Sequence, residues 1–157
     1  MSFDRDAVES FLFLEARLLD GMAYEAWLEL FDEKTLYWMP SNRDHTDPAR
    51  EVSIVYADRD QLGFRVDQLQ SGSAWVQDPP PRLCRAVSNI EIREAEDGDL
   101  DVESVVQVMV LRRHKSRTLM GRVQHRLRPH TEGFRIVQKK VVLVDNDEVI
   151  DDLTFLV

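Results

Sequence analysis

The sequence has a single cysteine, Cys84, among 157 residues. One cysteine cannot form an intrachain disulfide, and this fits the reducing conditions of the cytoplasm. One thiol also excludes an iron–sulfur cluster or a cysteine-type zinc site built from this chain alone. We therefore expect a cytoplasmic protein that has no redox cluster of its own.

Long hydrophobic runs are also lacking. No stretch approaches the roughly 20 apolar residues that span a bilayer. No basic segment followed by an apolar run marks a secretory signal. We expect no membrane association, and a chain of this length is expected to form one domain over residues 1–157.

Basic residues are scarce outside one segment. Between Arg112 and Lys140 there are ten Lys or Arg and one acid, Glu132, whereas the whole chain has a formal charge of -9. Such a segment in an acidic protein favours a contact with a partner of complementary charge. A solvated sheet face explains the same pattern, and both interpretations stay open here.

Apolar stripes predict two helices near the amino terminus. Asp4 is placed to cap the first helix, and Phe3 and Val8 occupy the two hydrophobic-staple positions. Gly21 is expected to adopt the left-handed conformation that ends it. The residues predicted to face inward are Val8, Phe11, Leu12, Leu18 and Leu19 in the first helix, and Ala23, Ala26, Trp27, Leu30 and Phe31 in the second.

Two short strands and a third helix follow. The strands are predicted at Leu36–Met39, closed by Pro40, and at Val52–Tyr56. Asp58 and Gln61 have the spacing of a capping box, which begins a helix that ends at residues 71–72.

The second half of the chain is predicted to be a sheet. The pair Asp97-Gly98 is a strong hairpin signal, and Gly133 supplies a later turn. Long consecutive strands favour a strongly bent antiparallel meander, and three N-terminal helices on its concave side give an α+β cone. The predicted strands are Leu83–Glu94, Leu100–Arg112, Arg117–Arg128 and Phe134–Val144.

This order of elements resembles the nuclear-transport-factor-2-like (cystatin-like) cone fold. Within that fold, the sequence resembles the small (beta) subunit of the Rieske non-haem iron aromatic-ring-hydroxylating dioxygenases. The motifs that carry the resemblance are residues 15–20, Trp27-Leu28, Tyr37-Trp38-Met39-Pro40, residues 60–69, Trp75 with Asp78-Pro79-Pro80, Val87-Ser88-Asn89-Ile90, Gly121-Arg122 and Gly133.

The resemblance implies a complex of three large (alpha) and three small (beta) chains. The large chain would hold the Rieske [2Fe-2S] cluster, the mononuclear iron and the substrate pocket. A reductase and in some systems a ferredoxin would supply electrons. The complex would add both atoms of O2 to an arene to give a cis-dihydrodiol. The small chain would be mainly structural, with no catalytic or metal-binding residues.

The histidines of the sequence fit that division of labour. A mononuclear oxygenase iron needs two histidines and a carboxylate that converge. His125 and His130 differ in parity and are expected on opposite faces of their strand, and His114 lies at a strand end. His45 lies in a loop at no recognised ligand spacing. We therefore expect ordinary surface or interface histidines.

Glu15 supports an alternative function. It lies between the apolar pairs Phe11-Leu12 and Leu18-Leu19, and an acid buried without a partner has a raised pKa, as a general acid or base needs. That interpretation makes the protein a free-standing cone-fold enzyme, an isomerase, dehydratase or epoxide hydrolase. The plainer interpretation is that Glu15 pairs with an arginine of the sheet or caps a backbone group.

Arginines and a rigid proline connector predict an interface. The face of Arg122, Arg126 and Arg128 lacks the aromatic residues that base stacking requires, and the acidic chain repels phosphate, so we expect no nucleic-acid partner. Arginine forks instead suit a protein partner. The apolar segment 153–157 is expected to dock as an edge strand or between subunits. The predicted interface residues are Trp75, Asp78, Pro79, Pro80, Arg82, Arg85, Arg122, Arg126 and Arg128.

Overall fold

The computed structural model describes residues 3–40, 53–71 and 80–144, together with Asp47, Ala49 and Val157. Three helices and six strands lie in these ranges. In chain order they are α1 (Arg5–Asp20), α2 (Tyr24–Leu28), β1 (Phe31–Pro40), β2 (Ser53–Ala57), α3 (Arg59–Gln70), β3 (Arg82–Glu94), β4 (Leu100–Arg112), β5 (Lys115–His130) and β6 (Gly133–Leu143).

The start of α1 is the predicted one, and its end differs. The Asp4 carboxylate accepts hydrogen bonds from the backbone N–H groups of Asp6 and Ala7. At the other end Gly21 has φ −82°, and Met22 takes the left-handed conformation with φ 53°. The next backbone N–H, that of Ala23, donates to the oxygen of Leu18 over 2.9 Å. This is the hydrogen-bond pattern of a Schellman motif, with methionine in place of the usual glycine.

The second helix is shorter than the sequence predicts. Phe31, predicted to face inward from that helix, is instead the first residue of β1, which begins five residues before the predicted strand at Leu36. The backbone N–H of Ile136 donates to the oxygen of Leu30 over 2.8 Å. Hydrogen bonding to β6 therefore begins two residues after α2 ends, and this pairing starts β1 earlier than predicted.

The sheet has the order β2-β1-β6-β5-β4-β3. The strands β3 to β6 form the predicted antiparallel meander, and Gly98 (φ 88°) and Gly133 (φ 124°) lie in its turns. The parallel pairing of β1 with β6, for example Trp38 with Lys140, was not predicted. It connects the first half of the chain to the middle of the sheet.

The helices cover one face of this sheet. Helix α1 contacts both β3 and β6, and α3 contacts β1 and β2. Two strands lie between β3 and β6, so those strands are about 14 Å apart in a flat sheet, whereas a helix is about 10 Å wide. Helix α1 therefore reaches across the inner face from β3 to β6, and the core lies between the helices and this face of the sheet.

Membrane-spanning helices are absent from the part of the chain that the structure describes, because none of its helices combines the necessary length with an apolar sequence.

Candidate functional site

Glu15 lies inside the protein. It shares the buried stripe of α1 with Val8, Leu12 and Leu19, and it is 4% exposed. A carboxylate on this stripe must enter the core, because the same side of the helix packs on the sheet. Glu15 is therefore buried, as the alternative function supposed, and the partners of the carboxylate decide its chemistry.

Both carboxylate oxygens of Glu15 have partners. Oε1 lies 2.8 Å from Nε2 of His125. Oε2 accepts hydrogen bonds from Nζ of Lys139 over 2.7 Å and from Nε1 of Trp27 over 2.9 Å. We call these four residues the buried ion cluster. The prediction that Glu15 pairs with an arginine of the sheet is wrong, because its charged partners are Lys139 and His125.

Two adjacent strands present the basic partners. His125 of β5 and Lys139 of β6 are directly opposite each other in the antiparallel register. Opposed residues point to the same face of a sheet, so both side chains enter the core. His125 alternates with the buried Val123 and Leu127. The expectation of a surface or interface histidine is therefore wrong for His125.

The cluster keeps Glu15 ionised. Burial by itself raises the pKa of the Glu15 carboxyl, but the Lys139 ammonium and His125 together lower that pKa well below its ordinary value. Burial lowers the pKa of Lys139, and the Glu15 carboxylate opposes that shift. Attraction between opposite charges in a dry interior therefore holds an ion pair. The alternative enzyme function requires a raised pKa of the Glu15 carboxyl, and that prediction is wrong.

Val157 closes the cluster on another side. Its main-chain oxygen accepts hydrogen bonds from Nζ of Lys139 over 2.9 Å and from the hydroxyl of Tyr37 over 3.4 Å. Residue 157 is 2% exposed. The Lys139 ammonium also lies 5.9 Å from the ring centroids of Trp27 and Tyr37, within cation–π range.

The space next to the cluster is small. Glu15, His125, Lys139 and Val157 line a cavity of about 20 Å³, which has room for about one water molecule. Nδ1 of His125 has no hydrogen-bond partner among the described residues. The interior around Glu15, as far as the structure describes it, is too small for an organic substrate of the alternative enzyme.

The other two described histidines lie apart from this site. His114 and His130 are exposed, and His45 lies outside the described residues. Within residues 3–40, 53–71 and 80–144, no three histidine, cysteine or acidic side chains are grouped as a metal site needs.

Arg85 is the predicted interface residue that lies inside. Its side chain is 2% exposed and forms an ion pair of 2.7 Å with Asp20 of α1. This placement removes its side chain from the surface. Pro80 and Arg82 are exposed, whereas Trp75, Asp78 and Pro79 lie outside the described residues.

Arg126 and Arg128 are paired within the chain. Arg126 binds Asp97, Asp99 and Asp101 over 2.8, 3.3 and 2.9 Å. Arg128 also binds the buried Asp99, over 3.2 Å. Acids of the β3–β4 hairpin therefore neutralise much of the predicted basic face, and the hydrogen bonds of Asp101 and Asp97 raise the pKa of Arg126 above its ordinary range.

The outer face of the sheet is unexpectedly apolar near Arg122. Four large apolar side chains are between 37% and 76% exposed on this face, and Arg122, two residues from Met120 on β5, is exposed as well. On β5, Met120 and Arg122 alternate with the inward Gly121 and Val123. We call the four the outer patch: Met109, Leu111, Met120 and Val144.

Sequence reasoning missed the basic partners of Glu15, although a signal was present. Residues 123, 125 and 127 share one parity, and two of them are apolar, so His125 was already on the core face. In β6, Lys139 has the parity of the buried Val141 and Leu143. A charged residue at a core-facing position of a strand is rarely buried without a partner.

Comparisons with known proteins agree on one family. The model of the ring hydroxylating beta subunit family matches residues 14–151. The chain is similar to the small subunit of 2-halobenzoate 1,2-dioxygenase from Burkholderia cepacia, with 33% identity over 151 residues and 92% of each chain covered.

Solved structures agree on the fold. The beta subunit of benzoate 1,2-dioxygenase from Burkholderia mallei is 26% identical and has a TM-score of 0.83, with 99% of each chain covered. An NTF2-like protein with a cystatin-like fold from Novosphingobium aromaticivorans has 15% identity and a TM-score of 0.63, covering 90% of this chain and 82% of that one. The predicted cone fold is confirmed.

Proposed function

The chain belongs to the ring hydroxylating beta subunit family, and we propose that it serves its oxygenase by assembly and not by catalysis. It is a small subunit of a multicomponent aromatic-ring dioxygenase. One observation carries the proposal: every oxygen of the buried acid Glu15 is occupied by a partner of the same chain. A general acid or base needs a free position next to the substrate.

The oxidation takes place on another polypeptide. We assign the Rieske [2Fe-2S] cluster and the mononuclear iron to the large subunit of the complex. The cluster needs two cysteines and two histidines, and this chain has one cysteine. Three large and three small chains form the complex in the cytoplasm, and a reductase, with or without a ferredoxin, supplies its electrons.

The outer patch is the surface proposed for contact with like chains. Exposed methionine and leucine on a sheet face suit the apolar centre of an obligate interface, and an arginine at its border suits the polar rim. Met120 and Val144 are neighbours, because the backbone N–H of Val144 donates to the oxygen of Met120 over 2.8 Å. Arg122 is the border arginine.

The proline connector is the surface proposed for the large chains. Pro80 and Arg82 are exposed at the start of β3. Prolines fix the backbone before binding, so an interface built on them loses little conformational entropy. Trp75, Asp78 and Pro79 lie outside the described residues and remain part of the proposal from the sequence alone.

The substrate of the complex is proposed to be a benzoate-type aromatic carboxylate. The 2-halobenzoate enzyme and the benzoate enzyme whose small subunits resemble this chain both have names of that class. The reaction adds both atoms of O2 to the ring and gives a cis-dihydrodiol.

Metal analysis and light scattering test the assembly role. The chain expressed alone is expected to contain no iron. Co-expression with its large subunit is expected to give a hexamer that contains iron. Stoichiometric iron in the chain alone contradicts the proposal. A large subunit that forms a stable oligomer and reaches full activity without this chain contradicts it as well.

A panel of substrates tests the proposed substrate class. The hexamer is expected to consume O2 with benzoate and halobenzoates, and to do so poorly with naphthalene, which has no carboxylate. A preference for naphthalene contradicts the substrate class and leaves the assembly role intact.

A further inference from the structure

Two buried side chains of the core donate hydrogen bonds to the main-chain oxygen of Val157. This oxygen lies 2.9 Å from Nζ of Lys139 and 3.4 Å from the Tyr37 hydroxyl. Both donors are side chains of the core, 3% and 0% exposed. Two buried donors that converge on one oxygen form an acceptor site, because each is costly to bury without a partner.

The cavity beside Val157 is lined mostly by apolar residues, together with Arg85, Ser104 and members of the buried ion cluster. The cavity that adjoins it is about 20 Å³, and Nδ1 of His125, in a side chain 3% exposed, has no partner among the residues described. The apolar residues that line this space are Leu12, Ala16, Leu19, Val87, Val106 and Val123.

We propose that Val157 occupies, as a tethered ligand, a binding site inside the cone for a small branched aliphatic group that carries an acceptor oxygen. Lys139 and Tyr37 bind the oxygen, and the apolar lining holds the branched group. The residues of this site differ from those of the outer patch and of the proline connector. The ligand that this site would bind is a short branched carboxylate or the corresponding amide.

Charges near the oxygen position act differently on the carboxylate and on the amide. Lys139 donates to it, and the buried Arg85 lines the same cavity, but Arg85 is paired with Asp20 and Lys139 is paired with Glu15. A carboxylate gains the Lys139 ammonium and is repelled by Glu15, whereas an amide gains the same hydrogen bonds without the repulsion. Both arms are therefore tested.

The experiment removes the tethered group and supplies it in solution. A chain that stops at Leu156 is titrated with 3-methylbutanoate, which is valine without its nitrogen, and with 3-methylbutanamide. Thermal unfolding and calorimetry are measured. At least one probe is expected to bind and to raise the Tm of the shortened chain, and neither is expected to shift the Tm of the 157-residue chain.

A matched variant tests the oxygen site. Glu15→Gln combined with Lys139→Met in the shortened chain removes the donor and its counter-charge together. This double variant is expected to weaken binding about tenfold, which corresponds to about 1.4 kcal/mol for the lost charge-assisted hydrogen bond. A folded shortened chain that binds neither probe overturns the proposal. Equal binding to the full chain overturns it as well, and so does binding that the double variant leaves unchanged.

A second variant keeps the test open if the shortened chain does not fold. Val157→Gly keeps the main-chain oxygen and removes only the isopropyl group. Xenon is then expected to shift the methyl NMR signals of Leu12 and Val123 in the variant and not in the unchanged chain. Equal spectra of the two proteins under xenon overturn the proposal.

Discussion

Nζ of Lys139 and Oε2 of Glu15 lie 2.7 Å apart, although 124 residues separate them in the sequence. The pair joins α1 to β6 in the middle of the sheet, and His125 and Trp27 bind the same carboxylate. A buried ion pair contributes little net stability relative to apolar residues, but loss of one partner leaves an uncompensated charge in the core.

Glu15→Gln is therefore expected to destabilise the chain strongly. The free energy of unfolding, measured by urea denaturation, should fall by about 3–5 kcal/mol, because Lys139 is left buried without its counter-charge. Glu9→Gln is the matched control on the same helix, since Glu9 pairs with Arg5 at 30% and 53% exposure. It should cost about 0–1 kcal/mol. Equal losses in the two variants contradict the role of the cluster.

Glu15 also predicts acid sensitivity. Its folded pKa lies below the unfolded value of 4.5, so the folded state binds fewer protons. The stabilisation is present above pH 4.5 and is lost as the pH falls below it. The difference in unfolding free energy between the unchanged chain and Glu15→Gln should therefore shrink with acidification. A difference that stays constant from pH 6 to pH 3 contradicts the shift.

Gly121 marks a close approach of two strands. A Cβ placed there lies 2.5 Å from the oxygen of Val142 and 3.0 Å from Cα of Leu143. Gly121→Ala should lower the unfolding free energy by about 1–3 kcal/mol, because backbone must shift. Gly63→Ala should act in the opposite direction: its Cβ meets Leu28 at 3.6 Å, and alanine favours a helix by about 0.5–1 kcal/mol. Thermal unfolding of both variants checks the signs.

Asp99 anchors the two arginines of β5. Its side chain is 6% exposed and binds both Arg126 and Arg128, whereas Asp101 is 43% exposed and binds Arg126 alone. Asp99→Asn should cost about 2–3 kcal/mol, from the loss of hydrogen bonds to charged groups in a buried position. Asp101→Asn should cost about 1 kcal/mol or less. The reverse order in urea denaturation contradicts this assignment.

The outer patch predicts an assembly defect. Met120→Glu places a charge in the proposed contact between like chains, where burial without a partner is unfavourable. Co-expressed complexes of this variant should lose the hexamer in light scattering, while the isolated chain keeps its Tm. Phe64→Glu is the control, since Phe64 is 67% exposed on α3. A hexamer that survives Met120→Glu contradicts the proposed surface.

Local signals in the sequence predicted the elements well. The cap of α1 at Asp4, the capping box of Asp58 and Gln61, and the turn at Gly98 are all present. Each depends on residues a few positions apart, so its energy is readable from a short segment. The family resemblance, confirmed by the match over residues 14–151, rested on such motifs taken in order.

The features that the sequence did not predict depend on contacts between residues that are far apart in the sequence. The charge segregation between residues 112 and 140 is reduced in space, because Arg126 and Arg128 form ion pairs with acids of the β3–β4 hairpin. The parallel pairing of β1 with β6 likewise joins distant segments.

The sequence by itself placed Glu15 between apolar pairs of α1, predicted four long strands in a meander, and excluded a redox cluster built from this chain's one cysteine. Only the tertiary structure decided that Glu15 is an ion-paired carboxylate. Its pKa depends on the strand register that places His125 opposite Lys139, and register is fixed by the packing of the whole sheet, which no short segment encodes.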